Sequence, residues 1–184
     1  MRSLLLLPLL GLWLIGQPVP APAAEAPQWH SPAIAGHGEV AHLPDAAEQL
    51  DPTRQYKLIF DVTQPGRTDD VALAGLEAAA RFLNLASLAE VPRENLHLVM
   101  VIHGAGTAHA LADARYNQLL GQDNPSLPLI RQLVDYGVKV YVCGQALAGA
   151  GFAQDWVAEE VDVAVAALTV LVNYQLQGHA LLQY

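Results

Sequence analysis

Cysteine is nearly absent from this chain: Cys143 is the only one in 184 residues. A lone thiol excludes an internal disulfide, so it must be buried, shared between chains, or reactive. Cationic residues are scarce as well. Nine Lys and Arg stand against eighteen Asp and Glu, a net charge of −9. Nucleic acid and anionic lipid demand clustered Lys and Arg, so neither is expected as a partner. No apolar run reaches the roughly 20 residues that cross a bilayer, so no membrane insertion is expected of the mature chain. The Gly-Ala-Gly at 104–106 lacks the GxGxxG spacing of a dinucleotide site, and no cofactor is implied.

What is present begins with "MRSLLLLPLLGLWLIGQPVPAPAAEAP". Arg2 precedes an apolar stretch from Leu4 to Ile15, and Ala21 and Ala23 supply small residues for a signal peptidase. Residues 1–23 therefore read as a signal peptide cut after Ala23, with the mature chain soluble and periplasmic. No cysteine lies near the cut, which argues against a lipid-modified terminus. Residues 24–54 carry Pro27, Pro32, Pro44, Pro52, Gly36 and Gly38 with little periodicity, and read as an irregular arm over the body. His30, His37 and His42 in this arm, and His109 beyond it, lack regular ligand spacing, so solvated histidines are preferred to a metal site.

Residues 55–184 follow a different grammar. "YKLIFDV", "NLHLVMVIHGAG", "VKVYVCG", "VDVAVAAL" and "HALLQY" read as strands. Between them "DVALAGLEAAARFLNLASLA" reads as a helix capped by Asp69 or Asp70. "AHALADARYNQLLG" reads as a helix stopped by Gly121. In "NPSLPLIRQLVDYG" Pro128 sits in the first turn and Gly137 closes the end. "QALAGAGFAQDWVAEE" and "TVLVNYQLQG" complete the helices. Alternation of this kind predicts an α/β three-layer sandwich with a mainly parallel sheet of about five strands, flavodoxin-like or Rossmann-like. The strand order is open. The first helix has two apolar stripes and only Glu77, Arg81 and Asn84 as a polar strip, which suggests burial on more than one side: a small-residue helix or a subunit interface. "VDVAVAALTVLV" reads as core, and Asp155, Glu159 and Glu160 as a solvated face.

Open parallel sheets gather chemistry beyond the carboxyl ends of their strands. Asp61 and Thr63 follow the first strand, His103 the second and Cys143 the third. A helix starting near Gln145 puts the thiol at its N-terminus, where unpaired N–H groups favour a thiolate, and Gly144 leaves the sulfur approachable. Such a thiolate attacks disulfide, persulfide or polysulfide sulfur. The alternative is a buried cysteine acting as a small hydrophobe. His103 could hold an anion or assist proton transfer, or simply satisfy loop backbone.

"VIHGAG", "NPSLPLIRQLVDYGVKVYVCGQALA" and "AVAALTVLVNYQLQGHALL" resemble the DsrE/DsrF-like family, particularly its exported members, from about Tyr56 to the C-terminus. The most specific parts are Cys-Gly-Gln at 143–145, His-Gly at 103–104 and Leu-Gln-Gly-His-Ala at 176–180. The resemblance implies a homo-oligomer, trimer or hexamer. In relatives of the DsrE and TusD type, a cysteine at the position of Cys143 carries sulfur as a persulfide between partner proteins. Here Cys143 would be the reactive residue, with His103, Gly104, Gly144 and Gln145 as the binding positions around it. No second cysteine exists to resolve a persulfide, so sulfur must leave to a donor or acceptor protein or to a small thiol. Two other readings fit the residues: a non-catalytic ligand-binding or assembly module, and a thiol-based redox sensor.

Overall fold

A computed structural model describes residues 26–64 and 71–184. The segment read from the sequence as a signal peptide, residues 1–23, and both expected cap residues, Asp69 and Asp70, lie outside the described residues.

The arm opens with a short antiparallel ribbon, β1 (Trp29–His30) and β2 (Val40–Ala41). The body then runs through β3 (Tyr56–Val62), α1 (Ala74–Leu88), β4 (Leu96–Ile102), α2 (Asp113–Leu120) and α3 (Leu127–Asp135). It ends with β5 (Lys139–Cys143), α4 (Gly144–Ala150), β6 (Asp162–Ala164), α5 (Ala167–Leu176) and β7 (Ala180–Gln183). The five long-range strands form one sheet in the order β6-β5-β4-β3-β7, and every neighbouring pair is parallel.

This order explains where the helices lie. From β3 to β6 the chain steps across the sheet in one direction, and then it returns to place β7 beside β3. Crossovers between parallel strands are right-handed, so steps in one direction put their helices on one face, and the reverse step puts its helix on the other. Accordingly α1 and α3 pack with Leu58, Phe60, Val62, Leu98, Met100, Ile102, Val140 and Val142 on one face. On the other, α5 alone covers Ile59, Val99 and Val101. Each large side chain enclosed in this way stabilises the fold by about 1.5–3 kcal/mol.

A single helix cannot cover five strands, and the apolar run "VDVAVAALTVLV" shows the consequence. The sequence reading assigned it to the core. In the structure Ala167 and Val170 are buried, but Val165 and Leu168 are 74% and 70% exposed, and beyond the run Leu176 is 82% exposed.

The second buried side of α1 is covered by the chain's own arm. Asn84, fully buried, accepts the N–H groups of Ala33 (2.9 Å) and Ile34 (3.0 Å) through Oδ1. Its amide nitrogen donates to the carbonyls of His37 (2.8 Å) and Gly38 (3.0 Å). Glu77 holds the His37 ring at 2.7 Å and accepts the Gly38 N–H at 2.8 Å. The arm backbone comes so close at Gly38 that a Cβ there would lie 2.2 Å from the Arg81 nitrogen. Ile34 inserts into the core at 1% exposure. Two members of the expected polar strip are therefore a docking strip rather than a solvated edge.

Other boundaries moved. The helix starting at Asp69 or Asp70 begins instead at Ala74, with Leu73 as the residue before its first turn. The stretch expected as one helix up to Gly121 splits into a 3-10 segment, Gly104–Ala110, and α2. It breaks where Leu111 pairs with Val157 and the Ala112 N–H reaches the Trp156 carbonyl. The long helix expected after Cys143 stops at Gly151. Glu160 is not solvated: Arg131 Nε donates to its Oε1 at 2.6 Å, and its other oxygen is buried. No helix among the described residues is long and apolar enough to cross a membrane.

Candidate functional site

Residues with alternating positions on parallel strands share a face. Asp61, His103 and Cys143 continue the pattern of Ile59, Val101 and Tyr141, so all three belong to the α5 face. The register pairs Val62 with Ile102 and Ile102 with Val142. His103 and Cys143 are therefore one step beyond a paired position on neighbouring strands, about 5 Å apart in strand spacing.

His103 is held from both sides. Its N–H donates to the Val62 carbonyl at 3.0 Å, and its Nε2 lies 2.5 Å from Asp61 Oδ1. The other carboxylate oxygen accepts from Gln183 Nε2 at 3.4 Å. A carboxylate facing Nε2 takes an N–H, which leaves Nδ1 of a neutral ring as the atom with the lone pair. Thr63 does a different job: its N–H and hydroxyl both donate to the Tyr184 carbonyl, at 2.8 and 3.2 Å, fastening the chain end beside β3. Gly104 follows His103 with φ of 58°, a left-handed turn that takes the chain out of the strand and into the 3-10 segment.

Cys143 ends β5 and caps α4. Its Sγ accepts the Ala146 N–H at 3.4 Å, so the expected placement at a helix start is met. The expected accessibility is not. The residue is 7% exposed and packs with Ile59, Val99, Val101, Ala167 and Val170, with Ala146, Ala164 and Ala166 partly buried around it. The cause is the start of α5, whose small residues let the helix approach closely. Gly144 belongs to the same seam: a Cβ there would lie 2.8 Å from the Ala164 carbonyl oxygen. Gln145 is exposed, and its amide donates to the Val165 carbonyl at 3.3 Å, tying α4 to the exit of β6.

The sequence reading missed the Asp61–His103 pair and a buried network beneath it. Ser126 Oγ accepts the Leu73 N–H at 3.1 Å and meets His109 Nδ1 at 2.8 Å. Asn124 donates to the carbonyls of His109 and Leu111, at 2.9 and 2.7 Å. These bonds fix the segment that follows His103. His109 is buried here rather than solvated. Among the described residues, no three His, Cys, Asp or Glu side chains converge as a metal site.

The profile of the DsrE/DsrF-like family matches residues 57–184, from the second residue of β3 to the chain end. This chain belongs to that family. The match takes in Asp61, His103 and Cys143 and leaves the docked arm outside it. No curated protein matches the chain. Among solved structures it is similar to MTH1491 of Methanobacterium thermoautotrophicum, described as a protein of unknown function, at 18% identity and a TM-score of 0.50. It is also similar to the ychN protein of E. coli, at 16% identity and a TM-score of 0.49. Both alignments cover 71% of this chain and 100% of the other. The first likeness supports the fold, and nothing finer is taken from it.

Proposed function

We propose that this DsrE/DsrF-like chain is an exported sulfur-binding or sulfur-transfer protein that carries sulfur as a persulfide on Cys143. Family membership points to sulfur relay in general terms. The observation that carries the finer reading is the position of the thiol. Cys143 Sγ faces a backbone N–H at the first turn of α4, and the next strand ends in a histidine oriented by Asp61. The hydrogen bond from Ala146 N–H holds the sulfur at the helix start, and the strand register brings His103, with Asp61 against its Nε2, to the same end of the sheet.

The chemistry balances without an outside oxidant. The Cys143 thiol gives up its proton, to His103 or to water, and the thiolate attacks a sulfane sulfur of a polysulfide or persulfide donor. The donor S–S bond breaks, its remaining fragment leaves as a thiolate, and Cys143 holds the new S–S bond. An acceptor thiolate then takes the outer sulfur and Cys143 is regenerated. Among the binding positions, Gly104 and Gly144 shape the two turns, and Gln145 secures the seam next to the thiol.

Two further elements belong to this reading. Export is supported by the apolar Leu4–Ile15 stretch after Arg2, with Ala21 and Ala23 beyond it. Assembly with further copies of the chain, as a trimer or hexamer, is supported by the exposed apolar residues of the α5 face: Val165, Leu168, Val172 and Leu176.

Burial of Cys143 favours a second reading, an assembly module whose thiol is inert. Labelling of the native protein with a thiol reagent over a range of pH separates the two. A sulfur carrier labels in the native state, slowly because the seam must open. An inert module labels only after denaturation.

A further inference from the structure

The α5 face carries a second polar region at the opposite, amino end of the same strands. Lys57 and His97 are the second residues of β3 and β4 and are paired in register; Lys139 is the first residue of β5. All three alternate with Ile59, Val99 and Tyr141, so they share the face of Cys143 but lie well away from it along the strands, Lys139 by about 13 Å and Lys57 and His97 by about 20 Å. His179 joins them from the turn between α5 and β7. Together with Tyr174 and Gln177 these residues border a cleft of about 400 Å³.

The charge of this cleft is opposite in sign to that of the chain. The chain is acidic, with a net charge of −9, and has only two lysines; both are here. Among the described residues, no Asp or Glu borders the cleft. The carboxylate on the flanking strand is Asp162, opposite Tyr141, and Tyr141 is hydrogen-bonded to Tyr174 at 3.2 Å. Lys57 Nζ donates to the Gln177 carbonyl at 3.3 Å, which fixes the ammonium at the rim and leaves it two further hydrogens. His179 Nδ1 donates to the Tyr174 carbonyl at 3.0 Å, with the rings at 4.9 Å, so Nε2 is the atom left to meet a ligand. Gathering like charges without a counter-charge costs folding free energy, and a bound anion removes that cost.

We propose that the cleft formed by Lys57, His97, Lys139 and His179 binds a small oxyanion of the phosphate or sulfate type, free or as the head group of a small organic molecule. The two ammonium groups supply charge, and a bound anion offsets the burial and neighbouring cations that hold His179 neutral, so that its Nε2 takes a proton and donates to the anion. The Tyr174 ring offers an apolar wall for an organic tail. This site does not depend on sulfur chemistry at Cys143.

The test is titration calorimetry of the full chain at low ionic strength, with inorganic phosphate, inorganic sulfate and phenyl phosphate as probes. Sodium chloride at matched ionic strength is the control, since screening alone mimics weak anion effects. The proposal expects saturable binding that Lys139→Gln and His179→Gln each weaken about tenfold, or about 1.4 kcal/mol, while Cys143→Ala binds like the wild type. Equal affinity for phosphate and phenyl phosphate assigns recognition to the head group, and tighter phenyl phosphate assigns an organic phosphate; both support the site. Thermal melts establish that the variants fold, with His179→Gln serving should Lys139→Gln not fold. Binding indistinguishable from the chloride control overturns the proposal. So does saturable binding that neither variant alters.

Discussion

Asp61 Oδ1 meets His103 Nε2 at 2.5 Å, joining the carboxyl ends of two central strands one step from the thiol of the third. The carboxylate fixes the ring so that Nδ1 is its basic atom. Asp61→Asn keeps the shape and removes the charged acceptor. It should slow sulfur loading of Cys143 by about tenfold or more, within the range of a lost acid–base contribution. The check is the loading rate across pH. A rate and pH profile equal to those of the wild type would assign the pair to structure alone.

Asn84 makes four hydrogen bonds to the arm from a fully buried position. Asn84→Ala leaves two donors and two acceptors to find water, and should destabilise the fold by about 2–4 kcal/mol. Limited proteolysis should then cut between Ser31 and Asp51 before the body is attacked. Urea unfolding measures the first effect, and the fragment pattern the second.

At Gly144 the obstacle to a side chain is the Ala164 carbonyl, which belongs to backbone and cannot swing away. Gly144→Ala should therefore cost about 1–3 kcal/mol through overpacking. By parting β6 from α4 it should also speed native-state labelling of Cys143. Stability lost without faster labelling would mean that access to the thiol lies elsewhere.

Burial holds the His179 imidazole below its ordinary range; the hydrogen bond to the Tyr174 carbonyl opposes this, and Lys57, His97 and Lys139 add to it. A histidine depressed in the folded state binds fewer protons there than when unfolded. Its contribution to stability is thus complete above the usual imidazole value of about 6.5 and is lost as pH falls below it through the lowered folded value. Melts of the wild type between pH 8 and 5 (~3 pH units spanning the imidazole range) should show an acid-side decline that His179→Gln lessens. A curve with the same slope in both proteins would contradict this.

For the α5 face, light scattering behind size exclusion should give a mass above that of one chain. Leu168→Asp combined with Leu176→Asp should reduce it to one chain with little change in stability, because both side chains are exposed in the monomer at 70% and 82%. A wild-type monomer would remove assembly from the reading.

Most of the fold was legible in the residue pattern because parallel strands buried on both faces read as unbroken apolar runs, and each of the five expected runs became a strand. Strand order was not legible, since periodicity says nothing of which strand lies beside which. Without that order, the solitary position of α5 and the exposure of Leu168 and Leu176 could not be anticipated, and the apolar run looked like core. Strand ends were good guides to placement: Asp61, His103 and Cys143 share a face and an edge of the sheet. Their side-chain geometry was out of reach, and so was the closing of α5 over the thiol, which depends on small residues distant in sequence. The polar strip of α1 carries a further signal in Asn84. A buried Asn in a small-residue helix points to a backbone segment in need of hydrogen-bond partners, and that segment was the arm.

The most direct measurement is intact mass spectrometry of the protein after incubation with polysulfide, run beside Cys143→Ala. Persulfide carriage predicts added mass in whole sulfur atoms on the wild type, lost on reaction with a small thiol acceptor and absent from the variant. Identical spectra for the two proteins would contradict it.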